Sequence, residues 1–177
     1  MTPFPPTLPG QRLLLRRFTQ ADITPGYLGW LNDSLTMRYS NQRFLRHDRS
    51  SSLRYLESFN DSPNLFLGIC DLTAGQVIGT MTAYISPHHG TADMGILVGE
   101  PLVRGQGYGL DAWSALMTWL LNQQGLRKVT AGMLACNTAM RKVARRSDMV
   151  PDGLRRQQEI VDGLPQDILY FARFKNA

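Results

Sequence analysis

The amino-acid sequence predicts an α/β fold, a mixed sheet with helices on its faces. Strand-like and helix-like stretches follow one another in the order β-α-α-β-β-β-α-β-α-β-β. One strongly periodic apolar helix begins directly on a glycine-rich turn. With 177 residues and 43 % apolar side chains, the chain is long enough to bury a core within one domain.

Residues 1–10, which hold Pro3, Pro5, Pro6 and Pro9, read as a Pro-rich extension, and residues 11–177 as a single domain. Arg12 to Phe18 (RLLLRRF) has the character of a strand. Thr19, with Asp22 three residues on, has the form of a helix N-cap, and helix is expected from there to about Asn32 despite Pro25. Leu53, Leu56 and Phe59 fall on one side of a second helix over 49–59. Leu65 to Leu72 and Val77 to Ile85 form a hairpin around Thr73-Ala74-Gly75-Gln76. After Pro87-His88-His89-Gly90 comes a strand from Ala92 to Val98. Leu110, Trp113, Leu116, Met117, Leu120 and Leu121 then recur at helical spacing, opposite Asp111, Ser114 and Thr118, until Gly125 stops the helix. Lys128 to Leu134 is a strand and Asn137 to Arg146 a short helix. Arg155 to Val161 and Asp167 to Phe174 close the chain as strands flanking Asp162-Gly163-Leu164-Pro165.

Nineteen basic and fourteen acidic residues leave a formal charge of +5, spread along the chain rather than interleaved with aromatics as in a nucleic-acid binder. The densest cluster is Arg141, Lys142, Arg145 and Arg146, either a solvated helix face or a local attraction for a small polyanion. Cys70 and Cys136 are too few for a disulfide framework or a structural zinc site. No apolar run approaches the ~18 residues that cross a bilayer, and the N-terminus has no basic start or apolar stretch of a secretion signal. A cytoplasmic protein that binds neither nucleic acid nor membrane nor metal is expected.

A strand entering a glycine-rich turn and then a helix is either a tight structural turn that binds nothing or an anion site, the latter because the first helical amides lack internal partners and the helix dipole favours negative charge. In Arg104-Gly105-Gln106-Gly107-Tyr108-Gly109 the glycines keep Cβ atoms clear of phosphate oxygens. A Walker A loop is excluded, since no Lys-Ser or Lys-Thr follows Gly109. The dinucleotide fingerprint fails on spacing, and no acidic residue ends a strand at the required distance.

The same hexapeptide fits [Q/R]-x-x-G-x-[G/A], and by it the chain resembles the GNAT (GCN5-related) N-acetyltransferases. Ala92-Asp93-Met94-Gly95-Ile96, Asn137, Gly153-Leu154-Arg155, and Asp167 near Tyr170 resemble the RimJ/RimL-like branch. The resemblance spans Arg12 to Phe174 and implies a GNAT fold, with a mostly antiparallel sheet splayed at the cofactor strand. It implies acetyl-CoA as the cofactor, its pantetheine paired along Ile96, Leu97 and Val98 and its diphosphate on Arg104, Gly105, Gln106, Gly107, Tyr108 and Gly109. Asn137 would meet the pantetheine or thiol, Met140 and Val143 would line the groove, and Arg141, Lys142 or Arg146 would reach the 3′-phosphate.

An ammonium of pKa about 10.4 must lose a proton before it attacks a thioester, which calls for a base. Asp93 occupies the family's carboxylate position and, being one methylene shorter than glutamate, would act through a water. Glu100, His88, His89 and Glu159 are rivals, and Cys136 reads as a small buried cysteine rather than a nucleophile. Ala144 stands where many relatives carry a general-acid tyrosine, and Asp148-Met149 replaces their Gly-Phe pair. The resemblance places the acceptor among the N-terminal helices, with Trp30 and Tyr39 able to stack on it, and the last hairpin. It implies transfer to a primary amine by direct attack in a ternary complex, the acceptor being an amino sugar on a nucleotide carrier or a protein N-terminal amine. A non-catalytic acyl-CoA-binding module is the alternative, and assembly as a homodimer stays open.

Overall fold

A computed structural model describes residues 3–175; Met1 and Thr2 of the Pro-rich segment, and residues 176 and 177 of the expected domain, lie outside the described residues. The strands are β1 (Leu8–Pro9), β2 (Leu13–Arg17), β3 (Leu65–Asp71), β4 (Val77–Ser86), β5 (Thr91–Val98), β6 (Lys128–Leu134), β7 (Val150–Val161) and β8 (Leu164–Phe174). The α-helices are α1 (Pro25–Asn32), α2 (Arg49–Glu57), α3 (Tyr108–Thr118) and α4 (Thr138–Arg146). All strands join one sheet in the order β1-β2-β3-β4-β5-β6-β8-β7, with β5–β6 the single parallel pair among the described residues. No described helix is long and apolar enough to cross a membrane.

Strand alternation sorts the core onto two faces. Leu13, Leu15, Leu67, Ile69 and Met81 pack with Trp113, Leu116, Met117 and Leu120 of the α3 segment. On the opposite face Phe18 and Phe66 meet Ile23, Tyr27 and Phe59 beneath α1 and α2. Phe59 stacks on Phe66 with centroids 5.3 Å apart.

Several boundaries differ from the sequence expectation. Helix does not run unbroken from Thr19 to Asn32. Thr19 and Asp22 form a capping box around a short 3₁₀ turn, and α1 then starts afresh at Pro25, capped by the Thr24 hydroxyl accepting from the Tyr27 amide at 3.2 Å. Proline has no amide hydrogen to contribute, so it suits the first position of a helix and not an interior one. The helix after the glycine turn widens into a π turn over Trp119–Gln123, where Gln124 N–H donates to Trp119 O, before Gly125 at φ +72° ends it. The last hairpin is longer than its sequence suggested. Its turn contracts to Asp162-Gly163, both at positive φ, so Leu164 and Pro165 join β8. The Pro-rich segment adds β1 to the sheet edge, pairing Leu8 with Leu15, while Phe4 sets its ring edge-on to Trp119.

Candidate active site

The sheet opens at β5. Thr91, Ala92 and Asp93 pair with Lys128, Val129 and Thr130 of β6, and there the parallel ladder stops. Beyond it β5 stays paired to β4 as far as Val98, whereas β6 continues against β8. Residues 94–98 thus face a fork with no strand on that side. Met94, Ile96 and Val98 lie on the α3 face, and a Cβ on Gly109 would sit 3.4 Å from Val98 and 3.9 Å from Ile96. Asp93, Gly95 and Leu97 lie on the α1/α2 face.

At the head of α3 the chain presents its amides. Gly105 and Gly107 take φ +75° and +92°, the left-handed region that glycine enters without cost from a Cβ. No acceptor within the described residues meets the amides of Gly105, Gly107, Tyr108 or Gly109, and the first helical bond runs from Asp111 N–H to Gly107 O at 3.1 Å. Arg12 Nη2 donates to Gln106 O at 2.8 Å, and its guanidinium lies over the Tyr108 ring, which fixes the turn. Arg104 turns its side chain back to the C-terminal end of β5. It donates to Val98 O at 3.1 Å, Gly99 O at 2.7 Å and Thr36 Oγ1 at 2.8 Å, tying the N-terminal loop to the mouth of the fork.

Asn137 caps α4, accepting from the Met140 amide at 3.1 Å through Oδ1 and leaving Nδ2 without a partner among the described residues. Met140 and Val143 are half-buried against the same core as Ile96 and Tyr108. Arg141 folds back on Ala135 O at 3.1 Å, while Lys142 and Arg146 stay exposed.

A cleft of about 380 Å³ opens beside the fork and brings together Tyr39, Asn41, Asp93, Glu159 and Tyr170. Asn41 Nδ2 donates to Glu159 Oε1 at 2.9 Å. Asp93 is exposed to solvent, yet the walls of the fork crowd its carboxyl enough that desolvation pushes it above the usual carboxylate range. Thr130, donating to Oδ2 at 2.8 Å, pulls it the other way. The rivals are placed elsewhere. His88 and His89 sit exposed in the β4–β5 turn, and Glu100 accepts from the Leu102 amide as the cap of a 3₁₀ turn. Cys136 is half-buried rather than buried, because it lies outside the strand, in the half-buried link between β6 and α4. Trp30 is half-buried with its ring against Gly99, at the end of β5. Thr130, Thr36 and Asn41 take part without any motif marking them. Each acts through a partner at least 37 residues away in sequence.

Ala144 is fully buried, so that position offers no space for a tyrosine. The Asp148-Met149 replacement keeps the helix end intact. Asp148 takes φ +57° and donates its amide to Arg145 O, Met149 N–H donates to Ala144 O, and the Met149 side chain is buried in the core.

An unpaired strand edge beside a carboxylate, with free amides heading the next helix, suits a long thioester carrier: amide-rich arm along the strand, diphosphate on the turn. That defines the class, an acyl-carrier-dependent transferase. A family model for the acetyltransferase (GNAT) domain matches residues 12–150, and the chain belongs to this GNAT family of acyltransferases, which use acetyl-CoA. A comparison with curated protein sequences gives no match. Among solved structures, a GNAT-family acetyltransferase from Bacillus anthracis superposes with TM-score 0.81 at 17 % identity, covering 96 % of this chain and 98 % of that one. RimL, a ribosomal L7/L12 alpha-N-protein acetyltransferase in complex with coenzyme A, gives TM-score 0.80 at 18 % identity over 95 % and 97 %. A SpeG spermidine N-acetyltransferase chimera from Vibrio cholerae and hSSAT gives 0.81 at 16 % over 93 % and 96 %. At these identities the likeness is one of fold.

Proposed function

We propose that the protein moves an acetyl group from acetyl-CoA to a primary amine by direct attack in a ternary complex. The observation that carries this reading is the fork, where β5 loses its partner immediately after Asp93 and its open edge leads to the free amides of Gly105, Gly107, Tyr108 and Gly109. The carrier supplies a thioester, whose acyl carbon accepts the amine nitrogen while the C–S bond breaks and a thiol leaves. Ile96, Leu97 and Val98 hold the arm by their open backbone edge, Asn137 Nδ2 is a donor to it, and Met140 and Val143 line it. A free amide of the fork, near Val98, steadies the developing oxyanion.

Asp93 takes the ammonium proton through a water. Its carboxyl, raised by burial, is a stronger base than an ordinary aspartate, and Thr130 fixes its orientation. With alanine at position 144, no side chain is assigned to protonate the thiolate, and water serves. Trp30 and Tyr39 border the acceptor, which is an amino sugar on a nucleotide carrier or a protein N-terminal amine. The second option has support from the likeness to RimL, an alpha-N-protein acetyltransferase. One cytoplasmic domain over residues 11–177 suffices for this chemistry, alone or as a homodimer.

Thiol release from acetyl-CoA, followed with a panel of primary amines, tests the proposal. At least one amine accelerates release, and Asp93→Asn removes that acceleration while CoA still binds. Tight CoA binding with no amine-dependent release would instead favour a binding module.

A further inference from the structure

A larger cavity, about 530 Å³, adjoins the Asp93 cleft, walled by α2, the segment before it, and β4 and β5. Its lining holds Arg46, His47 and Arg54 and no aspartate or glutamate. Among the described residues Arg46 has no polar partner, and Arg54 gives only Nη1, to Ser50 Oγ at 2.8 Å. His47 Nε2 lies 3.0 Å from Gln42 O, which can only accept, so Nε2 carries a hydrogen and Nδ1 remains unpartnered. Ser52 lines the same cavity at 4 % exposure, and its Oγ has no hydrogen-bond partner among the described residues. The carbonyl such a serine would reach, at Asp48, already accepts from the Ser52 amide and from Ser51 Oγ, each at 3.0 Å. A buried hydroxyl in that condition costs free energy until an acceptor atom meets it.

We propose that this cavity binds a phosphoryl group on the acceptor, so that the substrate is a phosphorylated primary amine. This deepens the transferase reading above and rests on it. Two guanidinium groups and a buried hydroxyl suit a phosphoryl group, whose three oxygens accept from planar and point donors together. A polyamine would meet like charge there. The polarity continues across the site, because the segment Tyr39 to Gln42 lines both hollows and separates the arginines from Asp93 and Glu159. An acceptor lying along it sets its phosphoryl end among cations and its ammonium beside carboxylates.

Calorimetric titration of inorganic pyrophosphate into CoA-saturated protein tests the site with the turn at Gly105 to Gly109 already filled. Pyrophosphate binds, and Arg46→Ala and Arg54→Ala each weaken it roughly tenfold, whereas Arg17→Ala, outside the lining, does not. Both arginines are exposed, so the variants fold, as their melting curves will show. In parallel, glucosamine 6-phosphate is acetylated with a kcat/KM about tenfold or more above that of glucosamine, and the two variants shrink that preference. No pyrophosphate binding, or binding indifferent to both arginines, overturns the phosphoryl site. Transfer to both amines with equal kcat/KM overturns it too, while leaving the transferase reading standing. Arginine-dependent binding with no transfer to any amine keeps the site and sinks the transferase.

Discussion

Asp93 is a carboxylate raised by desolvation and, as the proposed base, needed as its anion. Turnover therefore falls as pH drops through a value above the ordinary aspartate range, and Asp93→Asn loses that limb along with about 10²- to 10⁴-fold in kcat/KM, as a pH–rate profile will show. The stability sign is opposite. A folded pKa raised above about 3.9 contributes stability in full below that value and loses it as pH rises through the folded pKa. Asp93→Asn, which can still accept from Thr130, should melt at or above the wild-type temperature at pH 7 despite being inactive. A second residue-scale test concerns Gly99. A Cβ there would fall inside the Trp30 ring, so Gly99→Ala costs about 1–3 kcal/mol of stability by overpacking. It also displaces the carbonyl that anchors Arg104, so KM for acetyl-CoA rises with the fall in melting temperature. Asp93, the proposed base, was visible in the sequence only through the resemblance, which aligns it back from Arg104. The Trp30–Gly99 contact was not, because residues far apart in sequence meet only through the tertiary fold.

Local signals placed most elements well, since hydrophobic period and turn residues decide strands such as Lys128 to Leu134 without outside help. They misjudged places where tertiary pairing overrides local preference: the leading prolines recruited as β1, the widened turn at Trp119, and the early start of β7. The end of α4 shows the compensation in reverse. Asp148 holds a left-handed conformation in which glycine has no Cβ cost, and its ion pair with Arg173 at 3.0 Å is largely exposed. Asp148→Gly should raise stability by about 0.5–1 kcal/mol, measured as a higher midpoint in urea with an unchanged slope.

The whole molecule is organised by the point where β5 and β6 part. The α3 core fixes the turn that follows β5, Arg104 and Trp30 hold the end of that strand, and α4 walls the opening. On the proposed reading the cofactor runs along the open edge of β5 and the acceptor lies on the face that carries Asp93. The order of elements announced an α/β sheet, and the glycine turn carried the resemblance to the acyltransferase family. The depth of the fork was hidden, because it depends on how many residues of β6 choose β8 over β5. Backbone hydrogen exchange with and without CoA measures it most directly. The amides of residues 94–98 and 105–109 should slow strongly together when CoA binds. Unchanged exchange in both segments, with protection arising elsewhere on the protein, would contradict the account.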